Sequence, residues 1–403
     1  MTQNNAVNKI RIPLSHLFPV IAGCGLIGTS LGMCVNISGN FFTPVAEAFS
    51  CGRADAAMTL TVYNIVQAAA ALYAPRVLSS FRLKQVLLFC TILQAGSTFL
   101  LSRCMSIPPM LILNALRGIG SAMIGTVMVT MMINYWFHEK TALMISIPLG
   151  FSGIVGAIFS PLIASVIAQS GWRTAYQLCA LLILFLNLTA LLLPIGLRPE
   201  DVSLAPYGTK EKTANADDAP VSVSPRLLAL MIVFAFACSV VSALPHHFPG
   251  IAENLSASSI GALLISAGMV SNTGGKILLG ALIDRIGTKN AASLFLLLIG
   301  AGALLLLTLP YPLFLIAAAF LFGLSFSVSV VATSTMSREC FGPAGYSRYF
   351  PTINFTATFA NAVGTWLIGR LYDESGSYTS AVMLVFVLIL VSLGSLRLVH
   401  RKP

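Results

Sequence analysis

Apolar runs long enough to cross a bilayer recur from one end of the chain to the other, separated by short polar or Pro/Gly breaks. Two of them, 291–309 and 380–396, carry no charge at all. Each approaches the ~20 residues that take a helix across ~30 Å of hydrocarbon. The strands of a membrane barrel would alternate over ~10-residue segments, and that pattern is absent. The runs predict twelve helical spans. Six lie near 17–42, 56–79, 84–104, 109–135, 142–168 and 174–197. Six more lie near 226–247, 257–282, 288–309, 312–335, 349–371 and 379–398. The polar stretch from Arg198 onward, "RPEDVSLAPYGTKEKTANADDAP", reads as a solvated linker. The expected organisation is a first bundle over 1–197, a cytoplasmic linker over 198–225 and a second bundle over 226–403.

Composition agrees with lipid as the main solvent. The 403 residues are 57% hydrophobic and only 9% charged, against roughly 25% charged in a soluble domain. Lys9 and Arg11 precede the first apolar run as in a signal peptide, but the run continues past Leu31 with no small-residue cleavage site. "LGMC", ending at Cys34, has the bulky Met33 where a lipoprotein signal needs a small residue, so a first span is the better reading. The eight cysteines fall mostly in spans, with no CxxC pair, and read as packing residues.

Charge sets the expected orientation. With both termini cytoplasmic, that side takes seventeen Lys and Arg, namely Lys9, Arg11, Arg76, Arg82, Lys84, Lys140, Arg198, Lys210, Lys212, Arg226, Arg285, Lys289, Arg338, Arg348, Arg397, Arg401 and Lys402. The outer side takes four, Arg53, Arg103, Arg173 and Arg370. A cytoplasmic-membrane protein, most simply a bacterial inner-membrane one, fits this bias. The net charge of +10 is then explained by topology and anionic lipid, and no nucleic-acid partner is implied. Two cations remain inside spans, Arg117 and Lys276, and no acid falls near the middle of one.

A repeat shows at an offset of 205 residues. "SSFRLK" (79–84) sits opposite "DRIGTK" (284–289), and "SGWRTA" (170–175) opposite "SGSYTS" (375–380). Duplicated halves of this kind place a transport site at the midplane between them. The segment Gly280-Ala-Leu-Ile-Asp284-Arg285-Ile-Gly287-Thr-Lys289 resembles the loop signature of the major facilitator superfamily, between spans eight and nine. The resemblance implies an all-α membrane fold with twelve transmembrane helices in two pseudo-symmetric six-helix bundles. It also implies a gating role for Gly280, Asp284, Arg285, Gly287 and Lys289. In the first half, Ser79 and Arg82 replace the signature's Asp and second Gly. The superfamily's span-four arginine aligns with Asn114, one turn before Arg117.

Further segments resemble the oxalate/formate antiporter and monocarboxylate porter branch: "NFFTPVAEAF", "NYWFHEKTAL", "SGWRTAY", "RPEDVSLAPYG", "HHFPGIAENLSAS" and "GRLYDESGSY". In that branch, oxalate carriers face the dicarboxylate with two embedded cations, in spans eight and eleven. The first corresponds to Lys276 here. The second falls near Ala357, between Thr356 and Thr358, where no cation stands, which points away from oxalate and towards a monocarboxylate.

An ionised lysine inside a span costs at least ~2.5–3.5 kcal/mol and normally faces a cavity, a partner or a substrate. Lys276 lies about 12 Å along the helix from Asp284, and no acid is near it in sequence, so an anionic substrate is its natural partner. The competing role is support of the gating loop. Asn36, Asn40, Tyr63, Asn64, Gln67, Asn272, Asn354 and Asn361 are candidate cavity-lining residues, although amides in spans also serve as interhelix ties. His246 and His247 close the predicted span seven. They read as a solvated interface, with His247 a further substrate candidate and either histidine a possible proton carrier. Gly150, Gly153, Gly156 and Pro161 space small residues along span five for close helix packing.

No HExxH, GxSxG or P-loop motif is present, so no catalytic residue, metal or cofactor is expected. The expected function is secondary transport of a small organic anion, by symport, antiport or uniport, with a proton or a counter-anion as the coupled species. The alternative is a proton-coupled exporter of a drug or other metabolite, which would call for embedded acids.

Overall fold

The computed structural model describes residues 12–139, 141–208, 224–308 and 311–400. Of the residues in the orientation count, Lys9, Arg11, Lys140, Lys210, Lys212, Arg401 and Lys402 lie outside them, as does linker segment 209–223.

The chain is built of helices. Span one is α1 (Leu14–Ile27), a π-helical segment (Gly28–Asn36) and α2 (Gly39–Phe49). Span two is α3 (Arg53–Ala71), followed by α4 (Ala74–Ser80) after a 56° bend. Span three is α5 (Leu83–Leu101), and span four joins α6 (Ile107–Ile124) to α7 (Thr126–Trp136). α8 (Thr141–Leu192) supplies spans five and six, divided at Gly171, where φ is 81°. Span seven runs through α9 (Pro225–Val241), a 3-10 turn (Leu244–His247) and α10 (Phe248–Asn254). α11 (Gly261–Ile286) and α12 (Thr288–Thr308) are spans eight and nine. α13 (Pro312–Ser327) continues through a π segment (Val328–Ala332) into α14 (Thr333–Ser375), which Gly342, at φ 65°, divides into the end of span ten and span eleven. α15 (Thr379–Val399) is span twelve.

By length and apolarity alone, nine helices of the described residues can cross a bilayer, or ten with the bent pair of span two. The division at Gly171 and span eleven, too polar to count that way, complete the twelve. At Gly171 and Gly342 the chain reverses through a positive φ that glycine adopts without strain.

Two ends of the bundle are distinguished below. The terminal face carries the beginning of α1, the end of α15 and the linker. The far face carries the α2–α3, α5–α6, α10–α11 and α14–α15 connections. Large apolar side chains such as Phe89, Ile92, Phe185, Leu297 and Leu390 point outward, as lipid contact requires.

The second bundle has one continuous apolar core, around Phe234, Phe295 and Phe322. The first has two, one around Trp136, Leu26 and Met132 and another around Phe41, Tyr63 and Leu101. A buried polar layer joins spans one, three, four and six. Thr29 donates to Asn187 Oδ1 at 2.9 Å, Asn187 Nδ2 to Thr91 at 3.2 Å, and Gln94 Nε2 to Ser121 at 2.6 Å. In hydrocarbon such groups must bond one another.

Two expectations are corrected. The first residues of the linker are docked, not solvated: Tyr207 is 9% exposed, its N–H donates to Trp136 O, and His138 N–H donates to Tyr207 O. His16 Nε2 bonds Ala205 O at 2.9 Å. A polar segment can dock here because its backbone groups find these partners. Span seven also runs past its predicted end at 247 to Asn254. Pro245 and Pro249 sit in the first turns of the 3-10 helix and of α10, where no helical N–H is lost.

Candidate functional site

The two bundles meet closely on the far-face side. Thr61 of span two donates to Ala362 O of span eleven at 2.8 Å. Between spans five and eight, Ser160 donates to Ala262 O at 3.2 Å, Ser266 to Ala157 O at 2.8 Å, and Thr273 to Gly150 O at 3.2 Å. Glycine permits this approach: a Cβ on Gly39 would overlap the His246 carbonyl, and one on Gly153 would overlap Thr273. The small-residue face of span five is therefore an inter-bundle contact.

A charged latch seals the far face. Arg53, the first residue of α3, pairs with Glu253 through Nη2 and Oε2 at 2.6 Å. Its Nη1 donates to Gly250 O at 3.1 Å and to Tyr378 Oη at 3.3 Å, and the guanidinium lies 4.1 Å from the centre of the Tyr372 ring. Asp373 of span eleven accepts the Arg53 and Ala54 N–H groups at 2.9 Å each, capping span two from the other bundle. Beneath the latch, Phe42 and Tyr378 flank the His247 ring at 5.4 and 5.8 Å, and His247 Nε2 bonds Thr365 O at 2.8 Å. His246 and His247 are 1% and 2% exposed. The expected solvated interface is thus a buried contact between bundles, because span seven continues beyond the histidines.

Towards the terminal face, α11 continues about 20 Å past Thr273. Gly274 and Gly280 meet no neighbouring atom where a Cβ would stand. Lys276 is half-buried and, among the described residues, forms no hydrogen bond or ion pair. It shares a helix face with Asn272 and Met269, four and seven residues earlier. Met269 approaches Asn36 of span one across Gly156. Asn272 is 4% exposed, and its Oδ1 has no partner. Asp284, Arg285, Gly287 and Lys289 are exposed, and among the described residues neither Asp284 nor Arg285 is paired. Gly287, at φ 79°, turns the chain into span nine, which accounts physically for one glycine of the signature.

The remaining candidates divide by what holds them. Asn36 and Asn40 are tied to span five, through Ser152 O and Ser160 Oγ, each at 2.9 Å. Tyr63 donates to Ser30 O at 2.6 Å, and Asn361 to Ser242 Oγ at 3.0 Å. These four act as ties between helices within a bundle. Asn64 and Gln67, buried and half-buried, and the exposed Asn354 carry side chains without a hydrogen-bond partner among the described residues. Among the described residues no three His, Cys, Asp or Glu converge as a metal site would require.

The sequence profile of the Major Facilitator Superfamily matches residues 24–271 and 230–403. The chain belongs to the major facilitator superfamily. It is accordingly an integral membrane transporter. A search of curated protein sequences finds no match. Among 302 solved chains that match in fold is a crystal structure of a mutant of the nucleoside transporter NupG. It superimposes with a TM-score of 0.72 at 15% identity, over 96% of this chain and 99% of that one. At that identity the likeness carries the facilitator fold and no substrate.

Apart from His247, the latch residues were not among the sequence candidates, where Arg53 figured only as an outer-side charge. Their signal lay in the branch-like segments: "HHFPGIAENLSAS" supplies His247, Gly250 and Glu253, and "GRLYDESGSY" supplies Tyr372, Asp373 and Tyr378. "NYWFHEKTAL" and "RPEDVSLAPYG" likewise meet at the linker dock, through His138 and Tyr207.

Proposed function

We infer that this facilitator moves a small organic anion, a monocarboxylate, across a bacterial cytoplasmic membrane by alternating access. The observation that carries the reading is Lys276, a lysine inside span eight with no counter-charge among the described residues. Burial of a charge is tolerated where a partner or substrate completes it. Asn272, with an unpartnered Oδ1 on the same face, and the unbonded amides of Asn64, Gln67 and Asn354 supply polar groups that orient a carboxylate and its substituents. His247 is held by Thr365 and stands above the path, at the latch.

The positive-inside count makes the terminal face cytoplasmic, so the latched conformation is inward-facing, with Lys276 reached from the cytoplasm. Asp284, Arg285 and Lys289 then have their work in the opposite state, when the terminal face closes. Every described Asp and Glu stands at a helix end or in a loop. That favours an anionic cargo over a cationic drug, and anion exchange is as well served as proton symport.

The test is competition in proteoliposomes. Uptake of labelled acetate, lactate and pyruvate is measured against unlabelled mono- and dicarboxylates, nucleosides and organic cations. Inhibition confined to monocarboxylates is the expected result. Transport inhibited by nucleosides or cations but untouched by carboxylates would overturn the reading.

A further inference from the structure

The first bundle buries a second cation that the Lys276 site does not use. Arg117, in α6, is 5% exposed. Its Nη1 donates to Asn114 Oδ1 at 2.7 Å, one turn earlier, and its guanidinium lies 5.7 Å from the centre of the Tyr63 ring. Its Nε is buried without any partner. Among the described residues no carboxylate neutralises it. On the helices packed around it, the charged groups are Glu47, Arg53 and Asp55 at the far-face ends of spans one and two, Arg173 at the start of span six, and Arg76 and Lys84 towards the terminal face. Asp55 is about 12 Å along span two from Tyr63.

The guanidinium faces space. A small cavity of about 20 Å³ lies between spans one, two, four and six, and its polar lining is Arg117, Asn114, Cys34, Ser38, Thr59 and Tyr176. Two apolar walls, Phe41 and Phe42, close it towards span one. A permanently ionised group with five N–H donors, the buried Nε–H among those left unpaired, beside a small polar pocket without an acid is the arrangement that an anion completes. Tyr63 does not fill this role, since its hydroxyl is committed to Ser30 O.

We propose that Arg117 and this pocket form a second anion site, separate from Lys276, that holds a small monovalent anion inside the first bundle. The ligand is an inorganic halide or the carboxylate of a one- or two-carbon acid; the same donor set serves either. The two cations stand on opposite bundles, one in the pocket between spans of the first and one on span eight of the second. That separation gives an exchanger distinct places for an anion and its counter-anion.

The proposal does not depend on transport through Lys276, and its test is an equilibrium one. The purified protein in lipid nanodiscs is titrated at constant ionic strength with sodium chloride replacing sodium isethionate, and separately with formate or acetate in chloride-free buffer. The thermal unfolding midpoint is read by intrinsic fluorescence. In chloride, wild type and Lys276→Gln are expected to show the same saturable rise, while Arg117→Gln shows none; in formate or acetate, where the Lys276 site adds its own response, the rise that survives in Lys276→Gln is the part that Arg117→Gln loses. Arg117→Lys, which keeps the charge but not the fork of donors, should raise the half-saturating concentration about tenfold or more. In the Lys276→Gln background, a response to chloride assigns the site to an inorganic anion, and a response to formate or acetate alone assigns it to an organic carboxylate. No saturable rise in wild type would overturn the proposal. So would an unchanged rise in Arg117→Gln, or, where that variant does not fold, an unchanged half-saturation in Arg117→Lys.

Discussion

The far face and the terminal face of this transporter are built from the same helices and hold opposite states. At the far face, one arginine engages an acid, a carbonyl and two tyrosines, and an aspartate from the second bundle caps a helix of the first. At the terminal face, Asp284 and Arg285 of the loop signature are exposed and, among the described residues, unpaired. The difference teaches how a facilitator keeps two states within reach of each other. Exposed or half-exposed ion pairs and cation–π contacts contribute only about 0.5–1 kcal/mol each, and a helix cap about 1 kcal/mol. Together they reach the few kcal/mol that separate interconverting conformations. A latch much stronger than that would trap the protein.

The comparison breaks most severely where backbone meets backbone. Gly39→Val places a side chain on the His246 carbonyl and prevents far-face closure, so transport should fall by about a hundredfold or more, equivalent to ~3 kcal/mol. Normal uptake by that variant would show that the faces need not close so tightly. Arg53→Ala removes the latch's centre and should cost about tenfold in turnover, with the far face opening more often.

Cys51, beside the latch, reports that opening directly. Burial, then the nearby Asp55 and Asp373, push its thiol above the ordinary range, so at neutral pH little thiolate is present and alkylation is slow. In Arg53→Ala the thiol should react faster with an impermeant maleimide, read by mass spectrometry of the Cys51 peptide, and the gain should shrink as pH rises towards the thiol's own titration. An unchanged rate would detach Arg53 from closure. Thr61→Val, which removes one inter-bundle hydrogen bond, should cost about fivefold in the same assay. The smallest change belongs to the open face. Asp284→Asn should leave thermal stability within about 0.5 kcal/mol, since nothing pairs with it here, while slowing uptake severalfold by weakening the closed terminal face.

Much of this architecture was legible in the sequence. Apolar runs gave the spans because lipid enforces helices of a set length, and the signature at Gly280–Lys289 gave the family. What periodicity could not reveal was contact between distant segments. Arg53, Glu253 and Asp373 lie about 200 and 320 residues apart in sequence, and each alone reads as an ordinary loop charge. Asn36 and Asn40 looked like cavity residues because an amide in a span signals either a ligand or a helix tie. Only the positions of Ser152 and Ser160 decide for the tie. His246 and His247 were misjudged for a related reason: the span was ended at them, whereas the helical path continues to Asn254. Lys276 stood out from the start, because an unpaired charge in a span needs an explanation at any level of description.

That lysine is where the functional reading is most exposed. Monocarboxylate uptake by wild type, Lys276→Gln and Lys276→Arg, reconstituted side by side at matched protein levels, tests it. Uptake abolished by glutamine and partly restored by arginine, with far-face labelling of Cys51 unchanged, is the outcome that an anion-binding Lys276 requires. Wild-type uptake by Lys276→Gln would remove the lysine from the substrate site and the anion reading with it.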